Sequence, residues 1–435
     1  MLDLPSASEL SRGTGAKGVE YPPDMTLVRR RPISHLGPAD GAPLAWLMSG
    51  AAADGGPAEL LDGLIARLVA AGVPIERATL HMSMLHPQLL GVTANWRADL
   101  GVYDEVEVHA HVRETAEHLT SPLRTLIEDR RSVRVDPRDD SAASTYPIMK
   151  SLAAAGYTDY WGFALKEAEG RYTLMTLATT APGGFSDATV ETVEALLPAF
   201  ALNVEIVSRG KVAENVLDAY LGRRSGKRVL AGEIRRGSGE TIDAVIWMSD
   251  MRDFTGLSDT IDAADMILLL NAYFECLVEA VGATGGEVLK FIGDGMLAIF
   301  PISAAHSAHA AAAAALDAAR QAVTAVTALK VAVPGPAIVE PAERSLDMAI
   351  ALHRGSVFFG NIGSKDRLDF TVIGPAVNLA ARVEPLAKEV GRRLLLTQQV
   401  AALIDEKLEP LGEFGFRGVA GKVSLYAAAE QRVVT

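Results

Sequence analysis

The sequence predicts a mixed α/β chain of the α+β kind, built from more than one domain. Three observations carry this. At 435 residues, 49% of them hydrophobic, the chain exceeds the usual single-domain size and can bury more than one core. Short alternating runs of strand type are interspersed with longer runs at helical spacing. Between residues 187 and 240 one long helical stripe leads into a basic, glycine-rich stretch, as expected of a joint between folded parts.

Residues 1–42 read as a flexible tail. Ser6, Ser8, Gly13, Gly15, Pro22, Pro23, Pro32 and Pro38 are scattered through it, with the basic cluster Arg29-Arg30-Arg31, and order is expected from Pro43 onward. Residues 43–186 form a first domain. Leu60 to Ala70 has helical apolar spacing, Arg77 to His86 alternates as a strand does, Tyr146 to Ala155 returns to helical spacing, and Tyr172 to Thr179 reads as a strand. Gly183-Gly-Phe-Ser-Asp187 is a helix start.

Residues 187–240 follow as a signalling helix and connector. Val190, Val193, Leu197, Phe200, Val204 and Val207 keep the 3-4 spacing of an a/d seam, which predicts a short parallel coiled coil and hence a dimerising helix. The seam breaks at Lys211 and resumes at Val212, Val216 and Tyr220, a shift of the stutter type. Gly222 to Gly237 is the basic connector.

Residues 241–435 form the last domain. A strand ends at Asp250, and helices are expected near 264–281 and 305–327. Strands are expected around 348–352 and 370–373, before a helix bearing Asn378.

Composition excludes several classes. A formal charge of −13 argues against nonspecific binding to nucleic acid or anionic lipid. A single cysteine, Cys276, excludes an internal disulfide framework and reads as a packed thiol in a helix. The alanine-rich window 304–333 is broken by charged residues, the N-terminus lacks an apolar signal core, and no stretch reads as membrane-spanning; a cytoplasmic location is expected. His109-Ala-His111 with His118 lacks the further ligands of a metal site.

The chemistry is concentrated in the last domain. Glu287 to Phe300 reads as two apolar strands joined by Gly293-Asp294-Gly295, with Lys290 on the same hairpin. The strand ending at Asp250 presents a second acid. A strand-end carboxylate beside a hairpin-turn carboxylate offers two hard oxygen ligands to one point, the donor type Mg²⁺ takes while filling its other positions with water and phosphate oxygens. Asn378 and Arg382 stand four apart on one helix and share a face, where an amide and a guanidinium suit a phosphate group.

Four ordered motifs, Trp247-Met-Ser-Asp250-Met-Arg-Asp-Phe-Thr255, Lys290-Phe-Ile-Gly-Asp294, His353-Arg-Gly355 through Gly363-Ser, and Thr371-Val-Ile-Gly-Pro-Ala-Val-Asn378-Leu-Ala-Ala-Arg382, resemble the class III adenylate and guanylate cyclases. The resemblance covers roughly residues 241–428 and implies a ferredoxin-like catalytic domain. It implies Asp250 and Asp294, with the Met251 carbonyl, as ligands of two Mg²⁺ or Mn²⁺ ions per active site. Lys290 falls on the purine-reading position, where lysine goes with adenine because it only donates, and Thr371 on the second base-reading position. Asn378 and Arg382 match the residues that orient the ribose and stabilise the transferring phosphate. Lys422 or Arg417 matches the lysine that grips the terminal phosphates, and the sequence leaves that choice open.

The implied reaction is ATP to 3′,5′-cyclic AMP and pyrophosphate, run in a homodimer whose two subunits share each site. The alternatives are a guanylate cyclase and a non-catalytic nucleotide or ligand receptor. Two departures stand out: Asp253 where the family often has glycine, adding negative charge near the metals, and Gly374-Pro375-Ala376 before the Asn378 helix. The order of elements in 43–186 resembles GAF-like sensor domains, implying an effector, small molecule or protein, that regulates the catalytic domain.

Overall fold

The computed structural model describes residues 21–37, 42–86, 89–168, 171–333 and 342–428. Two compact units divide between Ala219 and Tyr220.

The first unit is built on an antiparallel sheet of seven strands in the order β1-β4-β3-β2-β7-β6-β5, comprising β1 (Met25–Pro32), β2 (Arg77–Ser83), β3 (Leu89–Arg97), β4 (Val102–His109), β5 (Val133–Val135), β6 (Asp159–Lys166) and β7 (Tyr172–Thr179). Side chains alternate between its faces. Ala78, Leu80, Ala94, Trp96, Trp161, Phe163, Met175 and Leu177 turn to one face, against α1 (Pro57–Ala70). The other face is bordered by α2 (Pro122–Glu128) and α3 (Ile148–Ala154), from the segment between β4 and β6.

Two expectations for this half are corrected. Most of the expected tail, residues 1–20 and 38–41, lies outside the described residues, but 25–32 is an edge strand. The basic cluster is what fixes it. Arg29 pairs with Glu105 and Glu59, and Arg30 with Asp104 at 2.7 Å, each arginine standing opposite its acid on β4.

The second correction concerns the seam. Residues 187–221 form one helix, α4 (Asp187–Leu221), started where Ser186 Oγ accepts from the Thr189 amide. Phe200 and Val204 are fully buried, Val193 and Val207 nearly so, and Val190 and Leu197 pack beside them, all in the first unit's own core with α1. The stripe is therefore used inside the unit rather than on a partner helix. A 3-4 repeat of this length describes both arrangements equally well.

The second unit has an eight-stranded sheet, ordered β16-β17-β15-β13-β8-β10-β9 with β14 beside β13. Its strands are β8 (Gly239–Met251), β9 (Glu287–Ile292), β10 (Gly295–Pro301), β13 (Met348–Gly363), β14 (Leu368–Ile373), β15 (Leu394–Thr397), β16 (Glu409–Gly415) and β17 (Lys422–Ala427); a separate ribbon pairs β11 (Lys330–Val333) with β12 (Ala342–Ser345). All pairs are antiparallel except β13 with β15. Helices α5 (Ala263–Ala283) and α6 (Ala308–Ala328) cover one face, packing on Val245, Trp247, Met296, Ala298, Ile350 and Leu352, with Cys276 partly buried beside them. Asp262 and Ser307 cap their first turns. The opposite face is partly covered by α7 (Pro375–Val383), whose Ala376 and Ala380 rest on Ala244, Ile246 and Val357.

The connector is ordered within this unit. Arg228 pairs with Glu233 and Glu240 and lies over the rings of Phe359 and Phe370, tying residues 223–240 to β13 and β14. Against the sequence reading, α5 is long and apolar enough to cross a membrane, with 21 residues at mean hydropathy 1.6. Here its Tyr273, Leu277 and Val281 are fully buried in the core.

The packing of α4 predicts the cost of truncation. Phe200→Ala should destabilise the protein by about 3–5 kcal/mol. Leu202→Ala, at a position 62% exposed on the same helix, should change stability by less than about 0.5 kcal/mol. Chemical denaturation of the two variants across a range of protein concentrations checks this, and a Phe200→Ala cost that appears only where the chain is associated would return the stripe to an intermolecular seam.

Candidate active site

The centre of the second unit is a pair of carboxylates. β8 and β10 run antiparallel with Ser249 opposite Met296, which sets Asp250 at the end of β8 beside the β9–β10 turn. That turn is the two-residue Gly293-Asp294, closed by the pairing of Gly295 with Ile292. Gly293 has φ +63°, the conformation a type II′ hairpin requires at its first turn position. Gly295 is needed for close approach, because a Cβ there would come within 2.7 Å of the Ser249 carbonyl oxygen and 3.1 Å of Asp250 Oδ1.

Burial, the charge of Asp294 and a hydrogen bond with it push the Asp250 carboxyl up to about 7. Sequence reasoning missed a third acid. Glu384, just after α7, is pushed up to about 7 by burial and by the charges of Asp250 and Asp294, with Arg252 opposing. Beneath them, buried Tyr273 has its phenol pKa raised by burial and by all three carboxylates. Among the described residues no group of three His, Cys, Asp or Glu side chains is arranged to hold a metal ion. The aspartate pair and the strand-end Met251 carbonyl are all hard oxygen donors. This set fits a divalent cation that completes its shell with water and substrate oxygens.

Lys290 and Thr371 come from β9 and β14. The Lys290 Nζ donates to Asp369 Oδ2 at 2.6 Å. Asp369 lies two residues before Thr371, on the same face of β14, and was not anticipated; period-two spacing was the available signal. Thr371 is buried, and its Oγ1 has no hydrogen-bond partner.

Asn378 and Arg382 are exposed on α7. Arg382 makes no ion pair with Glu384 or Glu389 among the described residues. Its guanidinium lies by Gly418, where a Cβ would sit 3.5 Å from Nη1. Gly418 belongs to the β16–β17 loop, which also carries Arg417 and leads into Lys422, both exposed. The loop that carries Arg417 is thus brought to Arg382 at Gly418.

Residues 239–429 match the family model of the adenylate and guanylate cyclase catalytic domain. The second unit carries a class III cyclase catalytic domain. An adenylate cyclase of Anabaena cylindrica is 33% identical over 171 residues, 38% of this chain and 32% of that protein. The terminal-differentiation-specific adenylate cyclase of Dictyostelium discoideum is 32% identical over 153 residues, 35% of this chain and 7% of that protein. This chain thus spans a third or less of these relatives. Among solved structures, the adenylyl cyclase CyaB from P. aeruginosa is 25% identical with a TM-score of 0.38, covering 45% of this chain and 98% of that one.

Within the cyclase domain, the departure at Asp253 has a structural account. Asp253 has φ +60°, a left-handed conformation natural to glycine and, among other residues, tolerated best by Asn and Asp. Its charge is met by Arg344 at 2.7 Å, so it does not add freely to the negative field of the site.

The carboxylate pair makes a pH prediction. Because Asp250 is raised above its unfolded value, near 3.9, the metal-free native state holds a proton that the unfolded chain releases. Its contribution is therefore most favourable in acid and is lost as pH rises from about 4 through about 7. Metal-free Asp294→Asn should be more stable than wild type at pH 8, by about 1–3 kcal/mol, with a flatter profile between pH 4 and 8. Mn²⁺ should raise the melting temperature of wild type and barely move the variant. A less stable variant at pH 8 in chelator would contradict the repulsive pair.

Proposed function

We propose that the cyclase domain converts ATP to 3′,5′-cyclic AMP and pyrophosphate as a homodimer in the cytoplasm, regulated by a GAF-like N-terminal unit. The observation that carries the choice of ATP is Lys290, a donor-only side chain held by Asp369 beside Thr371. An ammonium there donates to the adenine N1 acceptor, whereas guanine presents a donor at N1. Thr371 Oγ1 is buried and unpartnered in the single chain, and contact with a base edge there would require the surrounding side chains to open.

The reaction is an internal displacement, in which the substrate's own 3′-oxygen attacks the α-phosphorus and pyrophosphate leaves. The protein therefore supplies positioning and charge rather than a nucleophile. Asp250 and Asp294, with the Met251 carbonyl, hold two Mg²⁺ or Mn²⁺ ions, which when bound lower the pKa of the 3′-hydroxyl and neutralise the triphosphate. Asn378 orients the ribose. Arg382 lies against the charge that develops on the transferring phosphate, and Lys422 or Arg417 binds the terminal phosphates.

Dimerisation is supported by exposed apolar side chains that flank these readers. Phe291 and Ile292 follow Lys290 directly and are 50% and 52% exposed, and Ile373, on the Thr371 face, is 49% exposed. Regulation is supported by the direct covalent run from α4 into the connector pinned on β13 and β14.

Purified protein given equimolar ATP and GTP with Mn²⁺ should yield mainly cyclic AMP, resolved by chromatography. Lys290→Glu should cut the cyclic AMP rate at least about tenfold, the loss of roughly 1.4 kcal/mol of transition-state binding. Mainly cyclic GMP from wild type would overturn the ATP assignment, and absence of any cyclic product would favour a receptor.

A further inference from the structure

The second face of the N-terminal sheet encloses a cavity of about 360 Å³, within the size range of small-molecule sites. One wall is the alternating side chains of β2, β3 and β7, which place Arg77, Thr79, His81, Thr93 and Thr176 on it. The opposite wall, from the segment between β4 and β6, is mostly apolar: Val112, Leu123, Ile127, Ile148 and Leu152. A polar stripe thus faces an apolar cover.

Most of the stripe is internally satisfied. His81 Nδ1 meets Thr93 Oγ1 at 2.9 Å, its Nε2 meets Thr79 Oγ1 at 2.8 Å, and Thr79 Oγ1 meets Thr176 Oγ1 at 2.6 Å. Burial and the nearby Arg77 and His118 push the His81 pKa down to about 4, so the imidazole is neutral at pH 7 and brings no second charge.

Arg77 is the exception. Among the described residues its guanidinium has no ion pair and no hydrogen-bonded acid. Directly across the ladder stands Arg97, a like-charge pair that costs stability, and Arg97 is already engaged by Asp99 at 2.6 Å. Besides Arg97, the groups that act most on Arg77 are the phenols of Tyr21, Tyr157 and Tyr160; the Asp99 carboxylate also feels its charge, but that acid is hydrogen-bonded to Arg97 and not to Arg77. Asp104, two strands away on β4, is committed to Arg30 and to the Tyr21 hydroxyl. Burial and Arg97 hold the Arg77 pKa below its ordinary value, the signature of a cation lacking its counter-charge.

We infer that this cavity binds a small, largely apolar organic acid whose single carboxylate pairs with Arg77. One planar guanidinium matches one carboxylate in a two-pronged hydrogen bond. The neutral hydroxyl stripe suits the remaining polar edge, and the apolar cover suits the hydrocarbon or aromatic body. A phosphate dianion finds no second free cation here, because Arg97, across the ladder from Arg77, is engaged by Asp99 and does not line the cavity. Occupancy is a property of the N-terminal unit and is measured without turnover, so it stands or falls separately from the cyclase assignment.

The test is calorimetric titration of the full chain with a panel of probes: benzoate, phenylacetate, indole-3-acetate and octanoate, each beside its primary amide, with inorganic phosphate as a further arm. At least one acid should bind saturably, at least tenfold tighter than its amide and than phosphate. Arg77→Gln should weaken that acid at least tenfold and Arg77→Lys less, with both variants checked for native circular dichroism. If Arg77→Gln does not fold, the acid-to-amide ratio in wild type and the Arg77→Lys loss decide. No saturable binding by any acid, equal binding of acid and amide, tighter binding of phosphate, or acid binding unchanged in the Arg77 variants would each overturn the inference.

Discussion

Two carboxylates are forced together where strand β8 ends beside the β9–β10 turn, and much of the cyclase unit serves to hold them there. Asp250 and Asp294 repel, and nothing in their own chemistry favours contact. They meet because β8 and β10 are paired from Ala244 to Ser249, because the turn between β9 and β10 is only two residues long, and because Gly295 leaves no side chain between the strands. The register is anchored below by Trp247 and Tyr273, both fully buried against α5 and α6. A divalent cation bound between them would turn this repulsion into attraction.

The remaining site groups are placed by elements on other parts of the sheet. Lys290 shares the hairpin with Asp294, yet it turns to Asp369 and the Thr371 strand. Arg382 turns toward the β16–β17 loop at Gly418, next to Arg417. The cyclase unit therefore displays an acidic centre and, apart from it, the Lys290–Asp369 pair on the edge next to Thr371, with exposed Phe291, Ile292 and Ile373 around that edge. That division of labour suits a two-fold pair of chains in which each copy completes the other's site.

Much of this was legible in the sequence, for identifiable reasons. Strand-end and turn acids announce themselves through local pattern: an apolar run into Asp250, and glycines on both sides of Asp294. Helices α5 and α6 were readable from apolar spacing, and their observed bounds lie within a few residues of those expected. What stayed hidden depends on distant partners. The Arg29-Arg30-Arg31 run looked like a solvated tail because its acids, Asp104 and Glu105, lie more than 70 residues away on β4. The α4 stripe was misassigned because a 3-4 repeat specifies that a face is buried but not what buries it. Asp369 and Glu384 joined the site only through folding. Asp253 looked like an unbalanced charge until its left-handed backbone and its Arg344 partner were seen.

The central claim is that the acidic centre and the Asn378–Arg382 face act from different copies of the chain. Mixing subunits measures it most directly. Differently tagged Asp294→Asn and Asn378→Ala chains, co-expressed and purified through both tags, give heterodimers in which one of the two sites is whole. The account predicts that each variant alone is inactive and that the heterodimer recovers about half the wild-type rate per dimer. Heterodimers of verified composition that remain as inactive as their parents would contradict it.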